Sequence, residues 1–287
     1  MRWIPVFYTS RQVAFTDSMS PSARKPAKVV ERWRELGLPI RVFEPTPVTA
    51  SDFALAHDRT FVDDVLALRE NNGFGNRSAA VATSLPYTTG SMLSAAKYVL
   101  ENRDVACAPC SGFHHAGYDS VSGYCTFNGL VVTAMKLRDE GRAQRVGILD
   151  CDQHYGNGTE ELIQYHGLSR WLKHVTAVKH YPLHAARFLS RLPELVRSFA
   201  GCDVLLYQAG ADPHVDDPLG GYLTDEQLAQ RDAIVFEQAK AMELPLVWNL
   251  AGGYQEPLQK VLDIHDRTMQ ACVATYCERA RTARAAP

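Results

Sequence analysis

Residues 146–159 read VGILDCDQHYGNGT, and this stretch decides the fold. Residues 146–149 are a short apolar run between polar neighbours, which predicts a buried parallel strand. Asp150, Asp152 and His154 follow at every second position. If the chain stays extended past the strand, alternate side chains point the same way and all three face one pocket. Gly156 and Gly158 then let the backbone turn or approach a bound group closely. Ligands of open α/β sheets sit at the carboxyl ends of the strands, which is where this cluster falls. Taken alone, the D-x-D-x-H string also fits an ordinary loop.

Working outward, the pattern alternates strand and helix. Upstream, strands are expected over 4–8, 41–43 and 105–109, and helices over 21–36, 60–71, 90–100 and 127–140. Downstream, helices are expected over 160–166, 185–199, 224–242 and 257–279, and strands over 175–181, 203–208 and 244–250. That alternation means an α/β fold: an open parallel sheet with helices on both faces. Four of the strands run into unusual strings: His114-His115, Asp152-Gln-His154, Gly210-Ala-Asp212 and Gly252-Gly-Tyr254. In a parallel sheet all four lie on one edge, so readings as isolated loops weaken together.

With 46% hydrophobic and 22% charged residues and a formal net charge of -2, the 287 residues have the composition of a soluble globular protein. Near-neutral charge argues against a dedicated nucleic-acid binder. No run is long enough to span a membrane, and the apolar run in MRWIPVFYTS is too short for a signal peptide, so a cytoplasmic location is expected. Linkers, repeats and low-complexity runs are missing, which predicts one domain over 1–287; no stretch speaks to oligomeric state. Seven cysteines, an odd number, are not a disulfide framework. Cys107-Ala-Pro-Cys110 lacks a second pair at metal-site spacing and reads as buried thiols.

Two carboxylates and an imidazole, Asp152, His154 and Asp212, suit a zinc ion that keeps one position open. Such an ion lowers the pKa of its water to roughly 7. The adjacent His114 and His115 can act as general base and acid. Tyr254, after two glycines, can donate its phenol to a polarised carbonyl oxygen. Together these parts hydrolyse an amide.

FHHAG (113–117), GYCTFNG (123–129), LDCDQHYGNGT (149–159), QAGAD (208–212), DPLGG (217–221) and AGGYQ (251–255) resemble the zinc-dependent histone deacetylases, in the family's order. The 217–236 run and the GGYQ ending look most like the class IV deacetylases and their bacterial relatives. The resemblance implies the arginase/deacetylase fold and one catalytic Zn2+ on Asp152, His154 and Asp212. It makes His114 and His115 the acid/base pair, with His115 nearer that role. Asp150 is implied to hydrogen-bond His114, and Asn157 to orient His115. Class I enzymes carry Asp at that second place, so His115 is expected to be less biased toward its charged form. Tyr254 matches the carbonyl-polarising Tyr; Gly123, Tyr124, Leu219 and Gly252 match substrate-binding positions. The family also holds a structural K+, partly through a hydroxyl residue at the place of Val178, so one K+ ligand is missing here.

The expected substrate is an acyl-lysine in a protein or peptide, or a small acylated amine. Leu219 stands where polyamine-selecting relatives carry Glu, which argues against a strong preference for acetylated polyamines. A shortened segment after Tyr181 argues for acyl groups longer than acetyl. Two other readings exist. An arginase-like ureohydrolase needs a second metal and a D-x-H-x-D string, but Gly156 occupies the place of its ligand. A non-catalytic acyl-lysine binder on the same scaffold could dispense with Tyr254 or a histidine.

Overall fold

The computed structural model describes residues 2–177 and 184–277. Seven parallel strands form one sheet: β1 (Ile4–Phe7), β2 (Ile40–Phe43), β3 (Val105–Ala108), β4 (Val146–Asp150), β5 (Leu172–Thr176), β6 (Val204–Gly210) and β7 (Leu246–Ala251). Their order is β2-β1-β3-β7-β6-β4-β5. The described helices are α1 (Lys25–Glu35), α2 (Ala50–Phe53), α3 (Arg59–Leu66), α4 (Ala79–Asn102), α5 (Gly129–Asp139), α6 (Asn157–Tyr165), α7 (Ala185–Arg197), α8 (Asp225–Ala241) and α9 (Gln259–Tyr276).

Alternation along the central strands builds two cores. Leu205 and Tyr207 of β6, and Leu246, Trp248 and Leu250 of β7, join Trp33, Phe188 and Phe236 on the face covered by α1, α7, α8 and α9. Val204 and Leu206 of β6, and Val247 of β7, pack instead with Phe53, Met92 and Leu130 on the face covered by α2 to α6. Both faces of these strands are therefore dry, which explains why they read as unbroken apolar runs.

The strand order matters more for the site than any single element. β3, β7, β6 and β4 are consecutive in space, so the four strings that follow them meet at one sheet edge. At that edge Asp150, Gln208 and Asn249 stand opposite one another on β4, β6 and β7, all buried.

Three expectations change. The helix expected over 90–100 is the second half of α4, a helix of 24 residues with Pro86 inside it. Proline removes an intrahelical bond; here Ser78 caps the N-terminus and the Pro86 carbonyl accepts from Val48 N outside the helix. The strand expected over 175–181 begins earlier: β5 pairs with β4 from Leu172 opposite Val146, and its polar Lys173 and His174 hid that start. Val178, Tyr181 and the segment directly after them lie outside the described residues, as does the end of the expected last helix, so the K+ and shortened-wall expectations are untouched. The extended path expected from Asp150 to His154 is also replaced, because the chain bends after Asp150.

Candidate active site

Asp150 ends β4 with no exposed surface, and both its oxygens are engaged within the protein. Oδ1 accepts from Asp152 N at 3.1 Å and Gln208 Nε2 at 3.0 Å; Oδ2 accepts from His114 Nδ1 at 2.7 Å. The bend after β4 thus turns Asp150 toward His114, while Asp152 and His154 turn toward Asp212. Ligand-type atoms of Asp152, His154 and Asp212 all lie within 4.8 Å of one another. His154 Nδ1 is 3.1 Å from Asp152 Oδ1 and 2.9 Å from Asp212 Oδ2.

Burial, reinforced by Asp152, pushes Asp212 up to about 7. Burial also opposes ionisation of Asp152, but His114 and the bonds to His154 overcome it and hold that carboxyl below its usual range. Hydrogen bonds to Asp152 and Asp212 carry His154 up to about 10. Two buried carboxylates favour a positive charge beside them, which the His154 ring carries here and a metal ion would carry in its place, and one nitrogen with two carboxylates is a donor set that zinc accepts. The residues present fit the ion.

The histidine pair leaves β3 through a strained loop, with φ of 85° at Gly112 and 119° at Phe113. Their ring centroids are 4.0 Å apart. Burial works against protonation of His114, and the charges of Asp150 and Asp152 outweigh it, lifting that ring to about 9. His115 is shifted down, first by burial and then by the charge of His114; its Nδ1 faces Asn157 Oδ1 at 2.5 Å. Across the slot, burial and then Asp152 and Asp212 push the Tyr254 phenol far above its ordinary value, which keeps its proton in place. Tyr124 lies beside it, with ring centroids 5.8 Å apart. Gly123 (φ 50°) and Gly252 (φ 49°) press close: a Cβ would fall 2.3 Å from His115 Cδ2 and 2.2 Å from Asp212 Cγ. Leu219 is 40% exposed, and its N–H donates to Asp217 Oδ1 at 3.0 Å. Asp217 Oδ2 accepts from Tyr254 N at 2.8 Å, so one carboxylate ties the 217–221 loop to the Tyr254 segment.

A family model for the histone deacetylase domain matches residues 20–186, more than half of the chain. The chain belongs to the histone deacetylase family. It is 26% identical over 218 residues to an uncharacterized protein of Picosynechococcus sp., covering 69% of this chain and 72% of that protein. It is 28% identical over 170 residues to acetylpolyamine amidohydrolase 1 of Pseudomonas aeruginosa, covering 49% of this chain and 48% of that one. Over 196 residues it is 28% identical to human histone deacetylase 1, covering 58% of this chain and 39% of that protein. The crystal structure of an acetylpolyamine aminohydrolase from Burkholderia pseudomallei superposes with a TM-score of 0.73 at 18% identity, over 95% of this chain and 99% of that one. Histone deacetylases are hydrolases of acyl amides, and the fold is theirs. Asp212 and Tyr254 lie beyond the matched 20–186 and enter the site through β6 and β7.

Around this deacetylase-type slot the structure adds groups the sequence did not single out. Lys25, the first residue of α1, is fully buried, and its Nζ donates to Gly252 O at 2.5 Å. Burial pulls it down to about 8, against the charges of Asp212, Asp152 and Asp217. In the sequence it is one of several cations in ARKPAK, with no pattern to set it apart. Gln208 does stand in a quoted motif, but only the register across β4 and β6 reveals its bond to Asp150. The slot itself, about 10 Å³, is lined by His114, Asp152, Tyr254, Tyr124, Ser111 and Gly252 among others. A second cavity of about 40 Å³ adjoins it, sharing Ser22, Ser111, Gly112, Tyr124 and Cys125. Its apolar lining includes Phe74, Val81, Leu85, Phe113 and Phe127.

Proposed function

We propose that this protein hydrolyses N-acyl amides as a zinc-dependent deacylase, acting as one domain over 1–287 in the cytoplasm, on an acylated peptide or small amine. It needs no nucleic-acid or membrane partner; among the described residues no helix is long and apolar enough to cross a membrane. The observation that carries the reading is convergence: His114, Asp152 and the Tyr254 phenol line one slot, His154 and Asp212 close on Asp152, and the His115 ring lies beside those of His114 and His154.

Zinc held by Asp152, His154 and Asp212 would acidify water and polarise a carbonyl. The remaining chemistry belongs to the chain. His115, shifted toward its neutral form, takes a proton from water as oxygen adds to the acyl carbon. Tyr254 donates to the oxygen that gains negative charge. The C–N bond then breaks, and an imidazolium of the pair returns a proton to the leaving amine. Asp150 holds His114 in one orientation, and Asn157 does so for His115 through a neutral oxygen. A second metal of the arginase kind has no support: Gly156 lacks a ligand, and a Cβ there would fall 2.7 Å from Asp150 Oδ2.

Substrate choice follows from the mouth and the adjoining cavity. Leu219 offers apolar contact to a side-chain stem and no charge for a polyamine. The 40 Å³ cavity gives an acyl chain longer than acetyl somewhere to go, and each enclosed CH₂ contributes about 0.8 kcal/mol. The test is kcat/KM of zinc-loaded protein for N-acetylspermidine against acetyl-, butyryl- and octanoyl-lysine peptides, with acid release measured directly. Release from the acetyl and butyryl peptides is expected, and Asp212→Ala should lose both zinc and activity while staying folded. Binding without release would leave the acyl-lysine binder standing. A tenfold preference for the polyamine, or no activity beyond acetyl, would overturn the substrate assignment.

A further inference from the structure

Arg231 on α8 is fully buried, and although it falls within the 217–236 run, no role has been given to it above. Its Nη1 donates to Gly210 O at 2.6 Å and to Cys151 O at 3.3 Å. Those carbonyls belong to the two segments that carry the metal-site carboxylates: Cys151 directly precedes Asp152, and Gly210 ends the strand that leads to Asp212. The position is meaningful because the β4–β6 ladder stops there. Its last paired residues are Asp150 and Gln208, followed by one backbone bond from Cys151 N to Gln208 O. Beyond that point the backbone bonds between the two segments stop although the segments stay in contact, and Arg231 donates to a carbonyl of each. The approach is tight, since a Cβ on Gly210 would fall 2.6 Å from Asp152 Cα.

The guanidinium is itself fixed. Asp232 Oδ1 accepts from Arg231 Nε at 2.8 Å and from the Tyr207 hydroxyl, and Asp232 Oδ2 accepts from Thr268 Oγ1 at 2.6 Å. The pair is neutral as a unit and locked to β6 and α9. A planar group that holds Asp232 through Nε while Nη1 reaches both carbonyls suits arginine; lysine has a single nitrogen on a flexible stem and cannot keep the anchor and the reach in one fixed geometry.

We infer that Arg231 is a positioning residue that sets the separation of Asp152 and Asp212, and through it the affinity of the site for a divalent metal. The inference rests on the proposed metal reading of those two residues. Loss of groups that orient metal ligands commonly lowers affinity about 10- to 100-fold.

The experiment is zinc affinity of the metal-free full-length protein by chelator competition, beside its thermal unfolding without metal. Three variants are compared with the parent: R231K, the charge-neutral double variant R231M/D232N, and D212A. D212A should abolish tight binding; if the parent binds no zinc, or D212A binds as the parent does, the metal reading itself fails. Given that control, R231M/D232N should unfold near the parent's temperature yet bind zinc about tenfold or more weaker. R231K should fall between the two. If the double variant does not fold, R231K alone decides, because it keeps the charge and removes the planar geometry that fixes Nη1 between the two carbonyls. Zinc dissociation constants within about threefold of the parent in each folded Arg231 variant would overturn the inference, whatever their stability; threefold is well under the ordinary loss for such groups.

Discussion

At the scale of single residues, Tyr254 joins two environments. Its backbone N–H is held by Asp217, while burial and the neighbouring carboxylates keep its phenol protonated. A donor used only as charge develops should affect kcat and leave KM nearly alone. Tyr254→Phe is therefore expected to lower kcat by about 10²- to 10³-fold with KM within about threefold. A kcat close to that of the parent in steady-state assays would remove Tyr254 from the chemistry. Residues such as this one were readable because unusual types stand beside glycines at strand ends. Lys25 and Arg231 were not, because their partners are backbone carbonyls far along the chain, at Gly252, Cys151 and Gly210. Carbonyls leave no mark on a sequence.

At the scale of elements, α4 shows where local signals mislead. Pro86 and the run Thr88-Thr89-Gly90 look like a helix boundary, yet the helix continues through them. Gly90 marks close packing: a Cβ there would lie 2.3 Å from Thr46 O and 2.9 Å from Pro47 Cα, both backbone atoms. In an exposed helix, Gly→Ala stabilises by about 1 kcal/mol. Here Gly90→Ala should destabilise by about 1–3 kcal/mol, the ordinary range for overpacking, as measured by urea unfolding. A gain in stability would mean that the 46–47 segment yields more readily than its packing implies. The strand alternation itself was legible from burial on both faces, whereas the start of β5 was not, since edge strands beside one neighbour tolerate Lys173 and His174.

At the scale of the whole molecule, buried neutral histidines tie stability to pH. His57 Nδ1 donates to Gly117 O and its Nε2 accepts from Asn128 N, both at 2.8 Å, which locks the start of α3 to the loops around the site. Burial lowers it to about 4, and buried His265 is lowered in the same direction. Above pH 6.5 the folded and unfolded forms of His57 are both neutral and its full contribution is present. Below that value only the unfolded chain takes up the proton, and stability drains away until about pH 4. The loss attributable to His57 approaches about 3 kcal/mol. His57→Gln can keep one donor and one acceptor without titrating. In metal-free protein, the stability difference between pH 7 and pH 4.5 should be smaller in His57→Gln by about 2 kcal/mol. Parallel pH profiles by denaturant unfolding would show that His57 is not the linked group.

β7 lies between β3 and β6, although it is the last strand in sequence. This has a consequence for synthesis on the ribosome. Until residues 246–251 emerge, β3 and β6 present bare edges of a parallel sheet, a form that invites pairing with other chains. The growing polypeptide can collect Asp152, His154 and Asp212 before then, but it cannot close the sheet or supply Tyr254. One late segment both seals the core and completes the candidate catalytic set, so a nascent chain acquires its chemistry at the same moment that it loses its stickiest surfaces.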